Sequence, residues 1–307
     1  MSILSGAQAV NAFVRKHGFL LTIAGIEIIL LLLALAGFAR ADWWQVIELG
    51  VIEGVTEFLP ISSTAHLLIA SDLLRFEHSL GGTFEIFIQL GAVIAVIGYY
   101  LRDLLAQARA IPNRPETRRF WLAIFVAFLP AAVIGLLLHD WIKAVLFSPT
   151  VIAWALIIGG IIFIVIERGP TRESTVHQPE HISLRQALGI GFAQVLAMIP
   201  GTSRSGASII GGMLAGLDRK TATAFSFYLA IPTLGAATIF DLLKSLDELQ
   251  AGDFGRLLLG MVVSLIIAWL SIGWLLRFVS TNSFVAFGIY RIGAGLLILA
   301  LIGAGWL

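Results

Sequence analysis

The stretch Glu53-Gly54-Val55-Thr56-Glu57-Phe58-Leu59-Pro60-Ile61-Ser62-Ser63-Thr64-Ala65-His66 puts two carboxylates, four hydroxyls and an imidazole into fourteen residues of an otherwise oily chain. On a helix, Glu53 and Glu57 stand at i and i+4 and project from one face. Pro60 ends such a helix, because its ring blocks the preceding turn and it has no N–H to donate. Ser62, Ser63 and Thr64 then suit the N-cap of a second helix, with His66 in its first turn. The expected geometry is helix, break, helix, with polar groups at the break. In a soluble protein this is a capped helix pair. Inside a bilayer, ionisable side chains are costly and broken helices survive only where they line a cavity.

Composition decides between these settings. Of 307 residues, 58% are hydrophobic and 13% charged, against roughly 45–50% and about 25% in soluble domains. Several apolar runs reach the ~20 residues that cross a bilayer, so the chain is read as an all-α integral membrane protein. The net charge of +1 argues against a nucleic-acid partner. With no cysteine, disulfides, thiolate catalysis and cysteine metal sites are excluded. The polar segments are too short to hide a soluble domain.

Residues 1–42 form an N-terminal extension, in which Arg15 and Lys16 precede an apolar run from about Phe19 to Phe38. Ala39-Arg40-Ala41 resembles a small-x-small cleavage site, but the run exceeds the usual signal-peptide core, so an uncleaved extra transmembrane anchor is expected. Residues 43–307 read as a single polytopic domain. Its expected spans are Thr83–Leu101, Phe120–Leu138, Pro149–Ile166, Phe225–Leu242, Leu257–Leu276 and Phe284–Ile302. His139 to Lys143 separate the second and third, and a linker from Glu167 to Arg185 is read as loop.

A second polar break occurs at Met198-Ile199-Pro200-Gly201-Thr202-Ser203-Arg204-Ser205-Gly206-Ala207-Ser208. Pro60 and Pro200 are each followed at +2 and +3 by hydroxyls, Ser62-Ser63 and Thr202-Ser203. Similar aromatic patterns follow at Phe84 and Phe225, which suggests internal repeats over about 43–166 and 186–302. Taking 43–74 and 186–216 as re-entrant hairpins and the N-terminus as cytoplasmic, Arg15, Lys16, Arg102, Arg109, Arg114, Arg118, Arg119, Arg168, Arg172, Arg185, Arg219, Lys220 and Arg277 face inside. Arg40, Arg75, Lys143, Lys244 and Arg256 face outside, and Arg204 and Arg291 fall within the membrane. The basic bias agrees with that orientation and makes the two repeats opposite in topology, the plan of many transporters.

Glu53 and Glu57 repel each other if both are ionised, so one is protonated or a cation lies between them. Their hard oxygens suit Mg²⁺ or Ca²⁺; a pair of helix-capping glutamates is the plainer reading. Arg204 at a helix start, flanked by Gly201, Thr202, Ser203, Ser205 and Gly206, suits phosphate through a forked cation, hydroxyl donors and the helix dipole. Alternatively, Arg204 simply pairs with Glu53 or Glu57. Ser62, Ser63 and Thr64 offer further hydroxyls, and His66 is either a structural residue or an acid–base group. An acidic pole, a phosphate-holding pole and a serine with a base nearby are the parts of phosphoryl transfer.

These residues resemble bacterial undecaprenyl-diphosphate phosphatases of the bacitracin-resistance (BacA/UppP) type. Glu53, Glu57 and Pro60 to His66 are similar to that family's glutamate-rich motif, and Pro200 to Gly206 to its PGxSRSG segment. Lesser matches lie at Leu138 to Asp140, Phe225 to Phe227, Asp241 to Ser245 and Ile289 to Arg291, so the resemblance spans about 43–302. Ala65 stands where the family commonly has glycine, and the segment before Trp43 has no counterpart. The resemblance implies six spans plus two re-entrant hairpins as inverted repeats in the bacterial plasma (inner) membrane, with the site facing the outer, periplasmic side. It implies hydrolysis of the C55 isoprenoid diphosphate to the monophosphate, assisted by a divalent cation. That reaction recycles the carrier for peptidoglycan synthesis and confers resistance to bacitracin, which competes for the substrate. Glu53, Glu57, Ser63, His66 and Arg204 match positions the family uses. Ser63 is the expected nucleophile, with Glu57 or His66 as base; a metal-activated water is the alternative attacker. A lipid-phosphate carrier using the same poles is the rival function, and a homodimer is left open.

Overall fold

The computed structural model describes residues 42–74, 76, 82–169, 174–245 and 254–307. The expected N-terminal anchor lies outside the described residues. Among the described residues eleven helices follow in order: α1 Asp42–Thr56, α2 Ser63–Leu74, α3 Thr83–Tyr99, α4 Leu101–Ala110, α5 Pro115–Leu146, α6 Pro149–Arg168, α7 Leu184–Val195, α8 Arg204–Leu214, α9 Arg219–Lys244, α10 Phe254–Val279 and α11 Val285–Gly303. Two single 3₁₀ turns, Pro179–His181 and Leu196–Met198, join them. One isolated parallel bridge, Val176 to Leu217, is the sole extended pairing among the described residues.

Length separates the helices into two kinds. Helices α5, α6, α9, α10 and α11 are long and apolar enough to cross a membrane; α3 and α4, bent by 61°, supply a sixth crossing if taken as one. By contrast α1, α2, α7 and α8 have 15, 12, 12 and 11 residues. At 1.5 Å per residue they fall short of a ~30 Å apolar core. They pair as α1–α2 and α7–α8 across the two polar breaks.

Local sequence accounts for several helix boundaries. Ser148 Oγ caps α6 by accepting from Val151 N, with Pro149 in the first turn. Ser183 and Gln186 form a reciprocal capping box at α7. Asp218 caps α9 by accepting from Thr221 N at 2.8 Å. The expected interruption at His139–Lys143 is absent. Helix α5 runs on to Leu146, since nothing in that polar run breaks a helix, and the turn waits for Phe147-Ser148 ahead of Pro149.

Packing follows a regular exchange of partners. Helix α1 lies on α10 as α7 lies on α5, and α3 lies on α10 as α9 lies on α5, while α6 packs along α11. Backbones touch where glycines meet. A Cβ on Gly160 would come within 2.5 Å of the Gly288 carbonyl, and one on Gly288 within 2.8 Å of the Gly160 carbonyl. Small residues permit such close crossings where lipid offers no hydrophobic drive. Fully buried Phe58, Phe225, Phe227, Phe284 and Phe287 fill the centre beside the breaks.

Candidate active site

Helix α1 stops four residues short of Pro60. A proline ring clashes with the carbonyl four residues earlier, here Thr56, and α1 ends at that residue. Glu57 therefore sits just beyond the helix. Its amide still donates to the Glu53 carbonyl at 2.9 Å, so the two glutamates remain one turn apart. The chain then turns through Ser62, at φ +74°, and α2 begins at Ser63. At the second break Gly201 takes φ +91°, Ser203 φ +73°, and α8 begins at Arg204. Among the described residues Ser62 and Ser203 are the two non-glycine residues at positive φ, a conformation that costs about 1–3 kcal/mol. Matching helix starts pairs Ser62 with Ser203 and Ser63 with Arg204. Alignment on the prolines is one residue out, because the second break has an extra residue between proline and helix.

Glu57 joins the two breaks. Its Oε2 accepts from Ser63 Oγ at 2.6 Å and its Oε1 from Arg204 Nη2 at 3.0 Å. Arg204 Nη1 also donates to the Ser226 carbonyl at 3.2 Å, and the guanidinium lies 5.6 Å from the Phe58 ring centroid. Arg204 Nε is buried without a hydrogen-bond partner, as is Glu53 Oε1. Two buried, ionisable groups thus keep one unspent polar atom each at the junction of the breaks. Such orphans in a folded interior call for a ligand, ion or water.

A cavity of about 530 Å³ opens on this junction, lined by Glu57, Ser62, Ser63, Thr64, Gly201, Ser203 and Arg204. The starts of α2 and α8 both border it, so two helix N-termini present their positive ends to one space. The remaining wall is mostly apolar, including Phe128, Leu136, Met198, Leu234 and Phe240, with Gln89, Gln194 and Thr233 interspersed. His139 and Asp241 also line it. His139 Nε2 stands 3.6 Å from Asp241 Oδ1 near the far ends of α5 and α9.

Other expected site residues lie behind this wall. Glu53 is buried on α1. Ser205 is fully buried; its hydroxyl donates to the Leu59 carbonyl at 3.0 Å and lies 3.0 Å from Ser203 Oγ. Gly206 N is taken by Ser203 Oγ at 3.1 Å, and Thr202 N by the Ile199 carbonyl at 3.1 Å. These groups shape the second break rather than face the cavity. His66 also stands back: Nδ1 is 2.7 Å from the Ser62 carbonyl oxygen and Nε2 is 2.6 Å from the Tyr290 hydroxyl.

Sequence reading missed the role of Arg291, placing it within the membrane and in a lesser family match without giving it a task. It is wholly buried and donates to backbone carbonyls: Nη1 to Pro60 and Nη2 to Gly201, both at 3.1 Å, with Nη2 also to Ala155 at 3.2 Å. One side chain thereby ties both breaks to α6. A Cβ on Gly159 would overlap Arg291 Nη2, so α6 carries glycine where the guanidinium passes. Gly201 is equally constrained, since its Cβ would lie 2.5 Å from the Ile152 carbonyl. The available signal was a cation in an apolar span with no acid one turn away.

Known proteins resemble the chain over most of its length. The family described as bacitracin resistance protein BacA matches residues 46–297. The chain is 48% identical over 267 residues to an undecaprenyl-diphosphatase of Deinococcus radiodurans, covering 86% of this chain and 97% of that protein. It is 48% identical over 260 residues to one of Albidiferax ferrireducens, covering 84% and 94%. It is 47% identical over 258 residues to one of Dechloromonas aromatica, again covering 84% and 94%. With the family matched across both breaks and nearly half of the aligned residues identical in such relatives, the chain belongs to the bacitracin resistance protein BacA family.

Proposed function

We propose that the chain removes the terminal phosphate of undecaprenyl diphosphate, giving undecaprenyl phosphate and inorganic phosphate, the activity its relatives are named for. The observation that carries this reading is Glu57 holding Ser63 Oγ and Arg204 Nη2 on its two oxygens at the edge of the cavity. Arg204 and the two helix starts bind the terminal phosphate. Glu57 takes the Ser63 proton as Oγ attacks phosphorus. The bond to the bridging oxygen breaks, and the isoprenyl phosphate leaves as an anion. Water then attacks the phosphoserine phosphorus; Glu57 returns its proton to Ser63 Oγ as the P–O bond breaks, and both protons of the water stay on the orthophosphate, which departs as an anion. The apolar wall suits the isoprenoid tail. A carrier would need the phosphate poles but no serine poised on a carboxylate, and the named relatives are phosphatases.

The site fits a divalent cation. Glu53 Oε1 is unspent, and Glu53 and Glu57 offer hard oxygens. Among the described residues no cluster of three or more histidines and carboxylates gathers as a metal site, so substrate phosphate oxygens would complete the coordination. Bound there, Mg²⁺ or Ca²⁺ would offset the charge of the carboxylates and the diphosphate.

The six crossings and two hairpins are taken as inverted repeats in the plasma membrane, a reading supported by the exchange of packing partners. The cavity faces outward. Helices α5 and α9 begin beside Arg114, Arg118, Arg119, Arg219 and Lys220, and the lining residues His139 and Asp241 stand at their opposite ends. Bacitracin, competing for the lipid diphosphate, acts on that same side. The test is phosphate release from undecaprenyl diphosphate by purified protein in detergent, where no compartments exist to transport between. Release that stops on chelation and returns with Mg²⁺ or Ca²⁺ supports the reading; a protein that binds the lipid without releasing phosphate overturns it.

A further inference from the structure

We infer that Tyr290 and His66 form a positioning pair: they hold the Ser62 carbonyl, and through it aim Ser63 Oγ at Glu57, so that Glu57 and not His66 receives the serine proton. The inference rests on Ser63 being the nucleophile.

The hydrogen bonds at the ring are the first argument. A carbonyl oxygen only accepts, so Nδ1, 2.7 Å from the Ser62 oxygen, carries a hydrogen. In the neutral imidazole Nε2 is then the lone-pair nitrogen, and the Tyr290 hydroxyl donates to it across 2.6 Å. In the imidazolium both nitrogens donate, and the Tyr290 oxygen accepts. The bond to Ser62 persists in either state, and in neither does a ring lone pair turn toward Ser63. Glu57 Oε2 meets Ser63 Oγ directly at 2.6 Å.

The backbone is the second argument. Ser62 at φ +74° needs restraint, and Ser63 is the next residue. At the second break the corresponding Ser203 is restrained locally: its carbonyl accepts from Ala207 N at 2.9 Å, and its own hydroxyl caps α8 through Gly206 N at 3.1 Å. His66 occupies the place relative to Ser62 that Ala207 occupies relative to Ser203. It brings a ring N–H to the equivalent carbonyl. The two aromatic rings are nearly parallel, at 7° with centroids 5.6 Å apart, which keeps the tyrosine oxygen in line with Nε2. Consecutive residues of α11 thus grip both sides of the first break. Arg291 takes the Pro60 carbonyl, and Tyr290 takes Ser62 through His66.

The chemistry is the third argument. A phosphate monoester has its second pKa near ~6, so the isoprenyl phosphate departs as an anion without an acid to protonate it. The first step therefore asks one proton acceptor of the protein, and Glu57 is already in contact with the proton to be moved.

The experiment compares His66→Ala, His66→Asn, Tyr290→Phe and Ser63→Ala in the full chain, measuring kcat and KM for undecaprenyl diphosphate in one detergent. Asparagine returns an N–H close to the Nδ1 position but cannot act as a base. His66→Ala is expected to lower kcat about a hundredfold with KM within roughly threefold, and His66→Asn to recover about tenfold of that loss. Tyr290→Phe, which removes a single oxygen, is expected to lower kcat about five- to tenfold. If His66→Asn is as inactive as His66→Ala, the imidazole itself does chemistry and the inference fails. If Tyr290→Phe turns over at the wild-type rate, the tyrosine has no part in it, an outcome that stands even where alanine at 66 impairs folding. Ser63→Ala separates the layers: near-wild-type turnover there removes the nucleophile on which both readings rest, whereas an inactive Ser63→Ala with no asparagine rescue removes the positioning pair alone.

Discussion

At the first break, residues 57–63, the helix that follows starts on Ser63; at the second, residues 198–204, it starts on Arg204. Each of these residues comes directly after a serine at positive φ, and each break gives a carbonyl to Arg291. The backbone device is shared while the side chains differ, a hydroxyl on Glu57 Oε2 at one break and a guanidinium on Glu57 Oε1 at the other. The means of restraint differ too. Ser203 is capped by its own side chain, whereas Ser62 is reached by His66, braced from a distant helix. Two similar turns thereby supply opposite charges to one cavity, and a single carboxylate, Glu57, ties them together.

The sharpest way to break this division of labour is at Ser63. Ser63→Ala is expected to lower kcat by about a thousandfold or more while lipid diphosphate still binds, because only the attacking oxygen is lost. Equilibrium binding and turnover in the same detergent check it; turnover near wild type would hand the attack to a water molecule.

Arg291 tests what the two breaks share. Arg291→Gln leaves carbonyls at both breaks short of donors, each such loss costing about 1–3 kcal/mol. The expected result is a clear fall in the thermal midpoint together with lowered kcat. Thermal unfolding in detergent beside the phosphate assay measures both, and a stable, fully active variant would show the breaks to be self-supporting.

Arg204 probes the cation that the second break contributes. Lysine keeps the charge and loses the fork, so Arg204→Lys should cost about 1.5–3 kcal/mol of transition-state stabilisation, roughly ten- to a hundredfold in kcat/KM. Arg204→Ala is expected to be worse. Normal binding and cleavage by the alanine variant would reduce the guanidinium to a structural partner of Glu57.

The smallest effect lies away from both breaks, at the cap of α9. Burial raises the Asp218 pKa, but hydrogen bonds from Thr221 and His177 outweigh it and leave the carboxyl below its ordinary value. A depressed folded pKa stabilises above the unfolded value of about 3.9 and is lost as pH falls through the folded one. Above about pH 5 Asp218 is ionised in both states, so its own titration no longer changes stability. Asp218→Ala should lower stability there by about 1 kcal/mol with kcat unchanged, and its difference from wild type should shrink in acid. Thermal midpoints across pH measure this.

Much of the site was legible because polar groups in a membrane are costly. Glu53, Glu57, Ser63 and Arg204 stood out against apolar surroundings, and Pro60 with its hydroxyls announced a break. Less legible was how the groups divide. Ser205 and Gly206 share the PGxSRSG segment with Arg204, yet their polar groups serve the turn itself. The aromatic pair and the Arg291 clamp could not be read from spacing, since Tyr290 lies 224 residues from His66 and Arg291 lies 231 from Pro60.

By itself the sequence determined that the chain is helical, membrane-embedded and broken twice by polar turns, because hydrophobic run length, proline and helix-capping residues act through near neighbours. Only the tertiary structure decided that Glu57 serves Ser63 and Arg204 at once, 147 residues apart in the second case, and that one buried arginine holds both turns. Those pairings depend on how the helices cross, and a helix face says what it can meet without saying which partner will be brought to it.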